Sequence, residues 1–326
     1  MSTRRHRIVH RTVMRYDGDV VASHNELRMT PLSEPGQTTL EARIRVRPHS
    51  WSNVYTDHWG TQVMAVESQG AHDTLEIEAM STVERAETVA EASGTGWDAL
   101  ANEQTRDLLS ELITATPRTT TTEELTKIAQ AARDEPTPRA AAQAISTQVH
   151  ERMSYAKGVT EVSDTAEDAW AKGQGVCQDF AHITLAALRC IGIPSRYVSG
   201  YVASEPDLER GQSCPGESHA WIEIWDGAWM PYDPTNLAPV GLDHVVVGRG
   251  RDYDDVAPLR GIIVGGGLAG QFADAGLLDK VWVHQTPLVL GAGATFLRRL
   301  RLRRERVERD GQFPAMVFEV VGPEPR

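Results

Sequence analysis

The feature that most constrains this chain is a change of hydrophobic period near residue 95. Before it, apolar and polar residues mostly alternate, as in Ile8-Val9-His10-Arg11-Thr12-Val13, Leu40-Glu41-Ala42-Arg43-Ile44-Arg45-Val46 and Thr74-Leu75-Glu76-Ile77-Glu78-Ala79. Successive side chains of a strand point to opposite faces, so this period predicts half-buried strands. An antiparallel, sandwich-like β domain is expected over residues 1–90. Between about 95 and 157 apolar residues instead recur at helical spacing, in Leu108, Leu109 and Leu112 and then in Ile145, Val149 and Met153. Pro136 and Pro138 mark the entry to the second of these helices, and the threonine run from Thr119 to Glu124 is a turn and N-cap region. Strands followed by helices make this an α+β chain.

A second helix-and-hairpin unit carries the chemistry. Gly173-Gln174-Gly175 breaks any helix before it, and Val176 to Ile191 then has apolar residues at Val176, Phe180, Ile183, Leu185, Ala187 and Leu188. Cys177 therefore opens a helix, which Gly192-Ile193-Pro194 ends. Arg196 to Val202 reads as the next strand, and after a polar loop His219 to Ile224 and Ala228 to Asp233 form a hairpin around Trp225-Asp226-Gly227. A thiol at a helix N-terminus is a nucleophile candidate, because unpaired N–H groups and the macrodipole there favour thiolate. Gly173 and Gly175 let a substrate backbone approach it closely. Cys190, at the far end of the same helix, is expected to be a small buried apolar residue.

The apolar pattern also predicts the hairpin register. A two-residue turn would put Ala220 opposite Asp233, whereas a three-residue loop with a left-handed Gly227 pairs 224 with 228 and 219 with 233. Only the second collects Ala220, Ile222, Ile224, Tyr232, Met230 and Ala228 on one face, which leaves His219 and Asp233 together on the other. A carboxylate beside an imidazole holds its tautomer and orientation, so Cys177, His219 and Asp233 form a candidate nucleophilic triad.

Composition limits the alternatives. A 40% hydrophobic fraction over 326 residues can fill the cores of two domains. The net charge of −12 argues against general nucleic-acid binding, and the basic run Leu297 to Arg306, whose arginines bracket leucines, reads as a solvated face. No uncharged stretch reaches the roughly 18–20 apolar residues of a membrane span, and no apolar core follows the basic N-terminus as in an export signal. Three cysteines, Cys177, Cys190 and Cys214, are too few for a disulfide framework, so a reducing cytoplasm is expected.

Four motifs resemble the core of bacterial transglutaminase-like proteins: Gly175-Val176-Cys177-Gln178-Asp179-Phe180-Ala181-His182, Gly192-Ile193-Pro194-Ser195-Arg196-Tyr197, Ser218-His219-Ala220-Trp221-Ile222-Glu223 and Trp229-Met230-Pro231-Tyr232-Asp233-Pro234-Thr235-Asn236. Residues 1–90, with His24-Asn25-Glu26-Leu27-Arg28 and Tyr55-Thr56-Asp57-His58-Trp59-Gly60, resemble the β-rich region that often precedes that core. The resemblance implies a papain-like core over residues 91–261, in which a Cys-bearing helix packs on an antiparallel sheet. It implies thiol-dependent acyl transfer on peptide or protein carboxamides: Cys177 forms a thioester, His219 carries the proton, and an amine or water resolves the intermediate. The backbone N–H of Cys177 is then the expected oxyanion donor. Gln174 is a candidate second donor, although a solvent-facing loop glutamine is the favoured reading, and Trp170, Trp221 and Tyr201 are candidate groove walls beside the equal alternative of core packing. A catalytically silent peptide-binding module is the rival from another class.

No metal or cofactor is expected. Cys177-x4-His182 and Cys214-x4-His219 could suggest zinc, but residues five apart on a helix point to different sides. Asp252-Tyr253-Asp254-Asp255 lacks the alternation of a calcium loop and is expected to be a solvated turn. Over residues 262–326, Ile262-Ile263-Val264-Gly265-Gly266-Gly267, a helix through Gly276 to Lys280, and Val281 to Gly293 resemble the last part of a dihydrofolate-reductase-like domain. Gly265, Gly266 and Gly267 would there approach the phosphates of a nicotinamide cofactor. Because the first half of that fold has no counterpart, a partial α/β extension without a working NADPH site is expected.

Overall fold

A computed structural model describes residues 2–87, 95–203, 213–214, 216–264, 280–284, 300–310 and 313–323. In chain order the elements are β1 (Thr3–Leu27), β2 (Gln37–Arg47), β3 (Trp51–Thr56), β4 (Gln62–Ala86), α1 (Trp97–Ala101), α2 (Glu103–Leu108), α3 (Ser110–Ile113), α4 (Glu123–Ala132) and α5 (Pro138–Arg152). Then come β5 (Ser154–Tyr155), α6 (Ala166–Lys172), β6 (Gln174–Gly175), α7 (Cys177–Cys190), β7 (Ser195–Val202), β8 (Glu217–Trp225), β9 (Trp229–Asp233), β10 (Ala238–Pro239), β11 (His244–Gly250), α8 (Tyr253–Val256) and β12 (Leu259–Val264). The last are β13 (Lys280–His284), β14 (Leu300–Asp310) and β15 (Phe313–Pro323).

The alternating N-terminal segment forms one antiparallel sheet, ordered β12-β1-β4-β2 with β3 also on β4, and not the two stacked sheets of a sandwich. Alternation reports one buried face and cannot say what covers it. Here the cover comes from within the sheet. β1 and β4, 25 residues each, pair antiparallel along most of their length with register shifts near Val20. One core collects Leu75, Ile77 and Ala79 from one half of the strands and Leu27 and Val66 from the other. The sheet therefore bends over its own apolar face, as irregular pairing permits.

The central helix α7 is buried all round, every residue from Gln178 to Arg189 included, with polar Asp179, His182, Thr184 and Arg189 among its apolar residues. It packs between the sheet β10-β9-β8-β7-β11, which contributes Tyr197, Ala220, Ile222 and Ile224 to one core, and α4, α5 and α6, which contribute Leu125, Ala129, Ile145, Val149 and Trp170. Each large side chain buried there contributes about 1.5–3 kcal/mol, which anchors the helix start. Gly192, at φ +80°, ends the helix in the left-handed region. Thr137 caps α5 ahead of Pro138, and Thr122 caps α4 by accepting from the N–H of Leu125. The region of Leu108, Leu109 and Leu112 is broken into the short helices α1–α3, with Leu108 80% exposed while Leu109 and Leu112 are buried.

Polar contacts join the N-terminal sheet to the core. The Gln37 amide donates to Val246 O and accepts from Val246 N–H, each at 2.8 Å. Arg249 forks onto Glu34 and buried Glu223, which Arg196 also holds.

The described part of the tail departs from the α/β expectation. β13, β15 and β14 form an antiparallel sheet in that order, and Lys280, expected at the end of a helix, opens strand β13. The basic run lies partly in β14. Gly265, Gly266, Gly267 and the rest of the expected helix lie outside the described residues. Residues Ile262, Ile263 and Val264, assigned by resemblance to the tail, instead complete the N-terminal sheet by pairing with His24, Ser23 and Ala22.

Candidate active site

Cys177 is the first residue of α7, with extended Val176 as its N-cap. Valine has no side-chain acceptor, so the helix start is secured from the other direction: Asp179 Oδ2 accepts from Val176 N–H at 2.8 Å and from the Thr160 hydroxyl at 2.7 Å. Burial raises the Asp179 carboxyl above its ordinary range, although both donors oppose that shift. Gly175 is required here, because a Cβ at this position would stand 2.5 Å from Asp179 Oδ2. The glycine thus makes room for a capping carboxylate, a close approach within the protein.

The hairpin turns through Asp226, Gly227 and Ala228, with Gly227 in the left-handed region at φ +77°. Its register is two residues away from the expected one: Trp225 pairs with Trp229, Ile224 with Met230 and Ile222 with Tyr232. His219 is therefore diagonal to Asp233 and not directly opposite it. A shift of two preserves the face of every side chain, so the apolar set still meets α7 and the His–Asp pair survives. His219 Nε2 donates to Asp233 Oδ2 at 2.7 Å, with the imidazole 9% exposed and the carboxylate fully buried.

Burial alone would depress the His219 pKa. Asp233, by hydrogen bond and charge, and Cys177 as a second such partner outweigh burial and raise it to about 9. For Asp233, burial acts upward, but the hydrogen bonds from His219 and Asn236, with the His244 ring close by, hold the carboxyl well below the usual carboxylate range. Its other oxygen accepts from Thr235 N–H at 2.9 Å and Asn236 N–H at 3.3 Å, and Asn236 Nδ2 donates to Oδ2 at 2.7 Å. This turn was legible in Asp233-Pro234-Thr235-Asn236 as an Asx motif, and sequence reasoning missed it.

The other candidates are placed less openly. Trp170 is 2% exposed and donates from Nε1 to Glu124, so it is a core residue. Trp221 is fully buried among Val198 and Val246 and stacks beside His219 at 6.2 Å between ring centroids. Tyr201 bonds His10 of β1 at 3.0 Å, which makes it a contact between the sheets. Gln174 is exposed in β6, pairing with Ser154. Cys190 is exposed, contrary to expectation, since the last turn of α7 presents it outward. His182, fully buried, accepts from Tyr253 N–H and packs on Tyr197, and burial lowers its pKa to about 3. Asp252 caps α8, while Asp254 and Asp255 pair with Arg118 and Arg251.

Residues 126–234 match the model of the transglutaminase-like superfamily, and residues 6–84 match that of the bacterial transglutaminase-like N-terminal region. An uncharacterized protein of Mycobacterium leprae is 38% identical over 263 residues, covering 81% of this chain and 94% of its own length. A protein-glutamine gamma-glutamyltransferase of Pseudomonas aeruginosa is 31% identical over 127 residues, which are 34% of this chain and 19% of that protein. Among solved structures, a candidate cysteine protease from Cytophaga hutchinsonii superposes with a TM-score of 0.64 at 20% identity, over 80% of this chain and 88% of the other. Both matched models end by residue 234, so the reductase-like resemblance of the tail has no support. With a transglutaminase-like core at residues 126–234 preceded by a bacterial transglutaminase-like N-terminal region at residues 6–84, this chain belongs to the transglutaminase-like superfamily.

Proposed function

We propose that this protein is a cysteine-nucleophile enzyme that transfers or hydrolyses the acyl group of peptide or protein carboxamides. The observation that carries this is the set Cys177, His219 and Asp233: a helix-start thiol, an imidazole it perturbs, and a buried carboxylate bonded to Nε2 of that imidazole. Cys177 attacks the carbonyl as thiolate. His219, with its pKa near 9, holds a proton at neutral pH and delivers it to the departing nitrogen. Asp233 keeps the imidazolium oriented and stabilised. The Cys177 N–H, unpaired at the helix start, is the proposed donor to the developing oxyanion. An amine or water then attacks the thioester and releases Cys177. The similarity to a protein-glutamine gamma-glutamyltransferase of Pseudomonas aeruginosa supports a carboxamide substrate.

The test is alkylation by iodoacetamide across pH with mass-spectrometric mapping, beside an amidase or amine-incorporation assay. Cys177 is expected to react faster than the exposed Cys190, and Cys177→Ala and His219→Ala to be inactive. Equal reactivity of Cys177 and Cys190 at every pH rejects the proposal.

A further inference from the structure

His244 opens β11 and lies 11 residues beyond Asp233 in sequence, yet its ring stands beside that carboxylate. The Gly241–His244 turn is closed twice: His244 N–H donates to Gly241 O at 3.2 Å, and Gly241 N–H donates to His244 Nδ1 at 3.3 Å. A backbone N–H can only donate, so Nδ1 offers its lone pair and the proton of the neutral ring sits on Nε2. Nε2 is 3.6 Å from Asp233 Oδ2, a little beyond hydrogen-bond length, and has no hydrogen-bond partner among the described residues. The ring is held edge-on to Trp221, with centroids 5.3 Å apart.

The N-terminal sheet grips the same turn. His6 Nε2 meets Leu242 O at 2.8 Å, Arg4 pairs with Asp243, and Arg85 donates to Gly241 O at 3.4 Å. Strands β1 and β4 thus hold each of the three residues that precede His244.

We infer that His244 is a positioning residue: its Nε2–H fixes the Asp233 carboxylate toward His219, and the N-terminal sheet sets His244 through the 241–243 turn. This rests on the acyl-transfer proposal for its catalytic consequence, though the effect on the His219–Asp233 bond stands apart from it. A metal is the competing use of the same atoms, since ligand atoms of His219, Asp233 and His244 all lie within 4.8 Å of one another. A ligating histidine normally donates its second N–H. While Gly241 N–H feeds Nδ1, His244 Nε2 keeps its proton and has no lone pair for an ion.

The experiment compares the full chain with His244→Phe, which keeps a packed ring without a donor, and His244→Gln, which keeps a side-chain N–H. Thermal unfolding confirms that each variant folds. In wild type, the His219 proton bonded to Asp233 is expected as a downfield, exchange-protected proton resonance absent in Asp233→Ala. His244→Phe is expected to lose that protection and slow Cys177 alkylation at pH 7 about tenfold, and His244→Gln to restore both in large part. An unchanged resonance and alkylation profile in His244→Phe overturns the inference. So does protection of Cys177 by micromolar zinc chloride in wild type but not in His244→Phe, which assigns the cluster to a metal. A resonance that responds to His244→Phe, alongside Cys177 no more reactive than Cys190, supports the positioning role and rejects acyl transfer alone.

Discussion

His219 Nε2 donates to Asp233 Oδ2 across 2.7 Å on a diagonal of the β8–β9 hairpin, where Asp233 stands one step beyond the pair Ile222–Tyr232. Diagonal side chains on one face of a ladder are roughly 7–8 Å apart at their backbones, within reach of an imidazole and a carboxylate. Asp233→Asn keeps the shape but can present its amide to the ring and so favour the wrong tautomer. Turnover of a carboxamide substrate is expected to fall about 10³–10⁴-fold with a small change in KM, as for other triads. Steady-state kinetics check this, and a variant within a factor of two of wild type removes Asp233 from the mechanism.

The pH dependence of stability has a fixed sign. The folded value of His219, about 9, is above the ordinary 6.5, so folding favours the protonated ring. Its stabilising contribution is fully present below pH 6.5 and is lost as pH rises to about 9. The difference in Tm between wild type and His219→Gln, measured by calorimetry, should shrink across that window. A difference that grows with pH contradicts the raised value.

Gly175→Ala should damage the helix start. The new Cβ would meet Asp179 Oδ2 at 2.5 Å, displacing the carboxylate that holds Val176 N–H and Thr160. A loss of about 1–3 kcal/mol is expected by denaturant titration, together with slower Cys177 alkylation. Full stability with unchanged reactivity would show that Asp179 does not set the thiol's position.

Gly200→Ala should cost more. A Cβ there would strike Val245 O, a backbone atom in the neighbouring strand, and the ring of Trp221 at 2.5 Å. Neither can swing aside as a surface side chain would, so a loss of more than about 3 kcal/mol, or no soluble protein, is expected. A soluble variant with wild-type Tm refutes this account of the β7–β11 contact.

Arg249→Ala removes the group that bridges Glu34 to Glu223, leaving the buried Glu223 with Arg196 alone. Breaking one side of a buried charge network costs about 3–5 kcal/mol. The double variant Arg249→Ala, Glu34→Ala should cost less than the sum of the singles, and strict additivity in a thermal-shift cycle would show the two are uncoupled.

Much of this molecule follows from local pattern. Cys177 at the head of a helix, the ends of α5 and α7, strand β7, and the shared face of His219 and Asp233 all depend on residues close in sequence and on a period of 2 or 3.6. The face survived a two-residue error in register because alternation is blind to even shifts. Residues distant in sequence decided the rest. Nothing near residues 7–90 says that their sheet is single, bends over its own core and takes Leu259–Val264 as a fifth strand. For Trp170 and Trp221 the sequence left a groove wall and core packing both open, and packing against α4 and β11 buries them. His244 carries no motif; it reaches Asp233 only because β11 pairs with β7 and the N-terminal sheet closes on the turn before it. Periodicity encodes which way a side chain points, while which partner it meets is set by contacts between segments far apart in the chain, and those exist only once the chain is folded.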